Sequence, residues 1–195
     1  MSSRDQILSK ISANKPELLH LPDIDMSIFD EGLDLIKEFT KKIEVVGGNV
    51  IKTISNDAVI SQMETLFPDA KVKYSTLVNT ESFNTLDLTT IKNSQDLEDL
   101  DILILESDLA VAENGAVWVS DKQLPMRALP FITKHLVVIV SKESIVPYMH
   151  QAYAKLSETS NDFGVFIAGP SKTADIEQSL VIGAQGALSF TLFLK

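Results

Sequence analysis

Apolar residues recur with helical spacing in four stretches of the chain, which predicts four helices. The longest pattern begins after Ser27, which forms a capping pair with Asp30, and runs to Gly47 and Gly48, where glycine favours a helix end. Another begins at Asn56, whose side-chain oxygen can cap a helix. The predicted helices cover residues 4–13, 28–46, 56–67 and 145–156.

Short, continuous apolar runs alternate with these helices and predict strands buried on both faces. Asn114 and Gly115 separate two such runs, and Asn-Gly between apolar segments predicts a tight hairpin. The predicted strands cover residues 50–54, 71–74, 102–105, 109–112, 116–119, 135–140, 163–168 and 188–194. This alternation predicts an α/β fold with a mostly parallel sheet.

The stretch around Gly169 is the strongest candidate for a ligand site. Gly169 and Pro170 end the strand predicted over residues 163–168, and Ser171 and Lys172 then supply a hydroxyl group and a positive charge. A strand that delivers polar groups to a tight turn commonly builds a small-molecule site. A turn without any ligand explains the same residues equally well.

A short helix is predicted immediately after this turn. Thr173 is placed as its N-cap, Asp175 lies in its first turn, and Gly183 ends it. Free N–H groups at a helix start favour anions. We expect this segment at the carboxyl edge of the sheet, facing the turn of Glu113, Asn114 and Gly115 across one pocket.

Arg127 is the one cation in the proline-rich run LPMRALPF. Its guanidinium group can bind a carboxylate or phosphate with two hydrogen bonds. A surface salt bridge explains the residue equally well.

The composition narrows the function. The chain has 195 residues, a net charge of −10 and a pI of about 4.7, which disfavours nucleic acid and anionic membranes as partners. It contains no cysteine, so it holds no disulfide, no thiol nucleophile and no cysteine-ligated cluster. No export signal or apolar span of membrane length is visible, so a cytoplasmic location is expected.

Several catalytic and cofactor motifs are missing from the sequence. It lacks GxSxG, GxxxxGK[ST], GxGxxG and HExxH, which argues against an α/β-hydrolase, a P-loop NTPase, a dinucleotide-binding Rossmann fold and a zinc protease. The acidic run over residues 96–101 contains no histidine and is interpreted as a solvated face. We therefore expect no metal site and no cofactor in this chain.

The chain resembles the LUD-domain family, of the lactate utilisation protein C type, in three stretches. These are AVAENGAVWVSD (110–121), Arg127 with LPFITKHLVVIV (129–140), and GVFIAGPSKTADIEQSLVIGAQG (164–186). The resemblance covers residues 27–195, so residues 1–26 are interpreted as an N-terminal helix and irregular arm, and residues 27–195 as the LUD domain. Family members often carry His-Gly-Pro where this chain has Gln185, Gly186 and Ala187.

The resemblance implies a three-layer α/β/α fold like that of sugar-phosphate isomerases and CoA transferases. It also implies a cluster-free component of a system that oxidises L-lactate to pyruvate, with iron–sulfur subunits as partners. The ligand, a small carboxylate or phosphate, would then be held by Asn114, Gly115, Arg127, Gly169, Ser171, Lys172, Thr173 and Asp175.

Two other functions remain open at this stage. CoA transferases of the same fold class use a glutamate in a similar Glu-Asn-Gly turn, so Glu113 is a candidate nucleophile of a CoA-ester or sugar-phosphate enzyme. The chain is alternatively a small-molecule-binding module without turnover. The apolar N-terminal helix and Trp118 are surfaces that a homodimer would cover.

Overall fold

The computed structural model describes residues 2–17, 19, 22, 25–29, 32–53, 55–174 and 180–195. The chain divides into two compact units, Met1–Gly32 and Leu33–Lys195. In the first unit the predicted helix is confirmed as α1 (Ser3–Ala13), and a 3₁₀ turn covers Met26–Phe29. The side chains of Ile7, Leu8 and Ile11 on α1 are exposed.

The described residues of the second unit form four further helices and eleven strands. The helices are α2 (Leu35–Val45), α3 (Asn56–Leu66), α4 (Leu129–Ile132) and α5 (Met149–Ser157). The strands are β1 (Asn49–Lys52), β2 (Lys73–Ser75), β3 (Ile102–Ser107), β4 (Ala110–Val111), β5 (Ala116–Ser120), β6 (His135–Val140), β7 (Ile145–Val146), β8 (Gly164–Ile167), β9 (Lys172–Ala174), β10 (Leu180–Ile182) and β11 (Ser189–Leu194). Short 3₁₀ turns cover Glu81–Phe83, Leu88–Thr90, Ser94–Leu97 and Lys142–Ser144.

Five strands form a parallel sheet in the order β1-β11-β6-β3-β2. Helix α3 connects β1 at one edge to β2 at the other. The predicted α/β fold with a mostly parallel sheet is confirmed.

Alternate residues of the central strands face two separate cores, as the period of two in a strand requires. On one face, Ile102 and Ile104 of β3 pack with Val59 and Met63 of α3. On the other, Leu103 of β3 joins a larger core that contains residues of α2 and of a second sheet. These strands are apolar at nearly every position because both faces are covered.

The second sheet has the order β7-β4-β5-β8. The hairpin predicted around Asn114 and Gly115 is confirmed, because β4 and β5 pair in antiparallel register. The strand β8 pairs antiparallel with β5, and its residues are exposed or half-buried. It is therefore not the doubly buried strand that its apolar sequence predicted.

Two predicted helix starts are wrong. Helix α2 begins at Leu35, where Asp34 caps it by accepting a hydrogen bond from the N–H of Lys37. The N–H and hydroxyl groups of Ser27, the predicted cap, bond to Asp25 instead.

Helix α5 begins at Met149, because Ile145 and Val146 pair with β4 as β7 and continue the second sheet. Pro147 thus precedes the helix, and its carbonyl oxygen accepts the N–H of Glu113 at 3.0 Å. Burial of this short apolar pair in the sheet outweighs its helical spacing.

Candidate functional site

The last turns of α2 form the surface on which two predicted site segments pack. A Cβ added at Gly115 would stand 3.0 Å from the backbone nitrogen of Ile43, and one added at Gly169 would stand 2.6 Å from the carbonyl oxygen of Val46. Both glycines have positive φ angles, 70° and 73°, which other residues rarely adopt. The backbone therefore requires glycine at both positions, whether or not a ligand binds.

The same end of the second sheet carries both segments. Val117 of β5 pairs with Ile167 of β8 in antiparallel register. Gly115 precedes the first strand and Gly169 follows the second, so the two turns lie side by side. The structure thus brings Asn114 and Gly115 close to Gly169.

The segment from Gly169 to Lys172 lies at the amino edge of the parallel sheet. The N–H of Ser171 donates to the carbonyl oxygen of Ala187 at 2.8 Å, just before β11 begins. The ammonium group of Lys172 donates to the carbonyl oxygen of Val46 at the end of α2, which leads into β1. The expected position at the carboxyl edge is wrong, because β8 belongs to the second sheet and not to the parallel one.

The helix predicted after this turn is wrong at both of its described ends. Residues 172–174 and 180–182 form an antiparallel hairpin, β9 and β10, in which Thr173 pairs with Val181. Thr173 is therefore a strand residue, and the run of Leu180, Val181 and Ile182 has the branched side chains that favour strands. Asp175 lies outside the described residues.

Glu113 and Asn114 both make local hydrogen bonds. The exposed Glu113 carboxylate accepts the N–H of Met149 at 3.0 Å, at the start of α5. The side-chain oxygen of Asn114 accepts the N–H of Ala116 at 3.0 Å and closes the hairpin turn. Nucleophilic attack through the bonded Glu113 oxygen would first require the hydrogen bond to α5 to break.

Arg127 lies at the opposite end of β5 and β8 from Gly169. Its guanidinium group is 3.9 Å from the Asp121 carboxylate and stands 5.3 Å from the centre of the Phe163 ring. Asp121 follows β5, and Phe163 precedes β8. The structure therefore does not place Arg127 beside Lys172, with which the sequence grouped it.

An open cleft of about 250 Å³ runs along the segment that ends β8. Its residues are mostly apolar, and Glu113, Asn114 and Gly115 are not among them. They are Pro130, Phe131, Leu136, Val165, Phe166, Ile167, Ala168, Gly169, Pro170, Ser171, Gln185, Gly186 and Ala187. This cleft is therefore not the predicted pocket shared with the turn of Glu113. Gln185 and Gly186, where the sequence differs from the His-Gly-Pro of many family members, do line the cleft.

A larger and more polar cleft, of about 450 Å³, lies at the carboxyl end of β2. Thr76 and Glu81 line one side, and Asp121 and Lys122 line the other. In parallel sheets ligands bind outside the carboxyl ends of the strands, and this volume lies in the range of small-molecule sites. We call this feature the carboxyl-edge cleft.

Hydrogen bonds join the residues at the floor of the carboxyl-edge cleft. The side-chain oxygen of Asn84 accepts the N–H of Ser75 at 2.7 Å, and its amide nitrogen donates to the Ser75 carbonyl oxygen at 3.2 Å. The hydroxyl group of Thr80 donates to Leu77 O at 2.7 Å and lies 2.8 Å from the Ser75 hydroxyl oxygen. These bonds tie the loop after β2 to the end of that strand.

Sequence reasoning missed this cleft because its two walls are far apart in the chain. Thr76 follows β2, whereas Lys122 follows β5, and no local spacing connects them. The only signal was the polar stretch after residue 75, which showed no period. Arg127 adjoins the cleft through its contact with Asp121.

A compact ion pair joins the amino ends of β3 and β6. Asp101 accepts hydrogen bonds from Lys134 Nζ at 2.7 Å and from the N–H groups of Lys71 and Val72. Burial opposes ionisation of Asp101, but these bonds outweigh it, so the pKa falls to about 2. The same contact raises the pKa of Lys134.

His135 is also packed into this amino edge. Its ring stacks on Phe67 with the centroids 3.9 Å apart, and its Nδ1 lies 2.8 Å from the hydroxyl oxygen of Ser189. Burial lowers the pKa of this imidazole. These contacts give His135 a packing role at this edge of the sheet.

Within the described ranges, no helix has both the length and the apolar character needed to cross a bilayer.

Comparisons with known proteins point to one family. The LUD domain family model matches residues 30–194. "Lactate utilization protein C 1" of Bacillus mycoides (strain KBAB4) is 27% identical over 215 residues, covering 94% of this chain and 91% of that protein. "Lactate utilization protein C" of Geobacillus kaustophilus (strain HTA426) is 36% identical over 103 residues, covering 50% of this chain and 43% of that protein.

A solved structure has the same fold. The crystal structure of a DUF162 family protein from Deinococcus radiodurans superimposes with a TM-score of 0.60 at 13% identity. The match covers 83% of this chain and 96% of that one. With the family model matching most of its length, the chain belongs to the LUD domain family.

Proposed function

We propose that this protein is the cluster-free component of a system that oxidises L-lactate to pyruvate, and that it binds a small carboxylate or phosphorylated ligand. The observation that carries the proposal is its membership of the LUD domain family, with relatives named lactate utilization protein C. The chain has no cysteine, so the iron–sulfur clusters of such a system lie on partner subunits.

The carboxyl-edge cleft is the site that we propose for this ligand. Lys122 lines it, and Arg127 stands next to it beside Asp121. The guanidinium group of Arg127 is more than half exposed and has donors left for a carboxylate. Lys172, the cation expected from the sequence, is instead bonded to the end of α2.

Growth of a bacterium on L-lactate tests the pathway. Deletion of the gene should abolish or slow growth on L-lactate but not on glucose, and the wild-type gene should restore it. Normal growth of the deletion strain on L-lactate would remove the assignment.

Complementation with variants tests the site. Arg127→Gln should restore growth poorly, because the guanidinium group beside the cleft can no longer bind a carboxylate with two hydrogen bonds. Lys142→Gln, which removes an exposed lysine outside the cleft, is the matched control and should restore growth fully. Full rescue by Arg127→Gln would argue against this site while leaving the pathway assignment intact.

Thermal unfolding of the purified protein tests binding directly. A ligand present at a hundred times its Kd stabilises the fold by about 2.7 kcal/mol. L-lactate, pyruvate and small sugar phosphates should therefore be compared at millimolar concentration, and Arg127→Gln should lose the shift. No shift with any of these ligands would contradict binding at the carboxyl-edge cleft.

A further inference from the structure

The outer side of β8 is an unpaired strand edge. This strand ends the order β7-β4-β5-β8, and within the described part of the chain no strand pairs with its other side. Trp118 lies opposite Phe166 in the register of β5 and β8, but its N–H donates to the carbonyl oxygen of Leu109, on the other side of β5, at 2.8 Å. Because bonded and non-bonded pairs alternate along an antiparallel ladder, Phe166 and then Ala168 direct their backbone N–H and carbonyl groups away from β5.

The open cleft of about 250 Å³ lies along this edge, and we call it the β8-edge cleft. Residues 165–168 line it on the side of β8, and its other lining residues come from α4, from β6 and from the segments that flank β9 and β10. All of these lining residues are uncharged. The edge segment itself, residues 164–168, contains neither lysine nor proline, which natural edge strands use to oppose pairing. An uncharged, mostly apolar cleft along an open strand edge fits an added strand better than an anion.

The strand β10 has the properties of such an added strand. Among the described residues it pairs only with β9, and its side chains are exposed: Leu180 by 62%, Val181 by 37% and Ile182 by 40%. The N–H of Gly183 donates to the carbonyl oxygen of Ser171 at 3.0 Å, so by the same alternation Leu180 and Ile182 direct their backbone groups away from β9. A two-stranded hairpin alone is at best marginally stable in water, so this one gains from a further strand.

The hairpin of β9 and β10 adjoins the β8-edge cleft. Ser171 lines the cleft and directly precedes β9, and Gln185 lines it shortly after β10. The exposed side chain of Phe131 also lines the cleft, and a Cβ at Gly183 would stand 2.2 Å from the exposed side chain of Leu188. Apolar surface therefore continues from the cleft to the hairpin. A two-fold axis near this surface brings each hairpin to the cleft of the other copy, and such a contact closes at two copies.

We propose that two copies of this chain form a symmetric dimer in which β10 of each copy adds to the free edge of β8 in the other. The backbone groups of Leu180 and Ile182 bond to those of Phe166 and Ala168, and the apolar side chains of β10 cover the β8-edge cleft. This surface is neither of the two that the sequence suggested for a homodimer, the N-terminal helix and Trp118. The inference does not depend on the proposed lactate function.

Sedimentation velocity of the full chain at micromolar concentration tests the dimer. The 21.5 kDa chain should sediment as a dimer, whereas Leu180→Lys and Ala168→Lys should sediment as monomers, because a charge on either strand opposes pairing. Both positions are exposed, so both variants should keep the circular dichroism spectrum of the wild type. Leu66→Lys, at an exposed leucine that ends α3, is the matched control and should remain a dimer. A monomeric wild-type chain, or a dimer that persists in either strand variant, overturns the proposal.

Engineered cysteines test which strands meet, because the chain has no cysteine of its own. Ala168→Cys should be mixed with Leu180→Cys, its partner if the strands are antiparallel, and separately with Ile182→Cys, its partner if they are parallel. Paired strand residues lie about 5 Å apart, within the Cα separation of a disulfide. On oxidation, one of the two mixtures should give more linked dimer than either variant gives alone, and Ala168→Cys with Leu66→Cys should not. No such increase in either mixture overturns the proposed pairing of β10 with β8.

Discussion

At the amino ends of the central strands, the side chains of Lys172 and Asp101 are committed to bonds that hold the fold, whereas at the carboxyl end of β2 the charged side chains of Glu81 and Lys122 line an open cleft. Lys172 bonds to the end of α2, and Asp101 bonds to Lys134 and to two backbone N–H groups. Glu81 and Lys122 instead line the carboxyl-edge cleft. Charged side chains at these two places thus have different roles, one in packing and one at an open surface.

The contrast shows that a sequence signature need not mark a ligand site. The segment GPSK lies in one of the three stretches that resemble the family, yet its contacts join α2, β8 and the start of β11. Its glycine and lysine are explained by close packing and by a helix end. Substitutions at the amino edge should therefore change stability, and substitutions at the carboxyl-edge cleft should change binding.

The largest expected effect is at Gly169. In Gly169→Ala the new Cβ meets the Val46 carbonyl oxygen at 2.6 Å, and alanine must adopt a φ of 73°. Strain and overpacking together should lower the free energy of unfolding by about 2–5 kcal/mol, measured by urea denaturation. Gly47→Ala is the control for strain alone, since its φ is 84° but its nearest contact is 3.6 Å. Equal losses in the two variants would show that close packing on α2 is unimportant.

Asp101 should give the next largest effect. Asp101→Asn replaces the carboxylate that accepts the hydrogen bond from Lys134 with a neutral amide. This should lower the free energy of unfolding by about 1–3 kcal/mol. Asp69→Asn, at an exposed carboxylate, should change it by less than about 0.5 kcal/mol. If Asp101→Asn is as stable as the wild type, the amino edge is less constrained than its bonds suggest.

The same residue predicts a pH dependence. The folded pKa of Asp101 is about 2, below its ordinary value of 3.8, so the charged form stabilises the fold. This contribution is complete above about pH 4 and is lost as the pH falls through about 2. The loss of folded protein between pH 4 and pH 2, followed by circular dichroism, should therefore be less steep in Asp101→Asn than in the wild type. If the two proteins unfold identically between pH 4 and pH 2, the lowered pKa of Asp101 is contradicted.

Two lysines give a direct test of the comparison. Lys172→Gln removes a cation from the end of α2 and should cost about 0.3–1 kcal/mol of stability. Lys122→Gln, at the carboxyl-edge cleft, should leave stability within about 0.5 kcal/mol and weaken the binding of a small carboxylate. Stability is measured by urea denaturation and binding by ligand titration. If Lys172→Gln weakens ligand binding and Lys122→Gln does not, the ligand site lies at the amino edge instead.

The smallest expected effect is at Glu113. Glu113→Gln weakens the hydrogen bond to the start of α5 and should cost about 0.5 kcal/mol in urea denaturation. A covalent adduct on Glu113 after incubation with acyl-CoA donors, detected by mass spectrometry, would instead support the CoA-ester alternative.

Continuous apolar strands were the most predictable part of the fold. The run HLVVIV gives β6 over the residues expected, and the hairpin around Asn114 and Gly115 forms where Asn-Gly places it. Both depend on local composition and burial alone. The helix expected after Thr173 failed because the pairing of residues 172–174 with 180–182 is not visible in helical spacing.

The candidate sites were less predictable because each is built from distant segments. The carboxyl-edge cleft needs the loop after Ser75 and the loop after Ser120. No local sequence motif shows that these distant segments come together. The sequence did identify Arg127 and Trp118 as unusual, but not their neighbours.

The position of β11 has a consequence for folding order. This strand lies between β1 and β6, so the edge strand β1 joins the sheet by pairing with β11. Strands from opposite ends of the chain must therefore meet before the sheet is complete, which slows folding and leaves β1 exposed meanwhile. A ribosome-bound intermediate that has made β6 but not β11 would present an unpaired strand edge to chaperones.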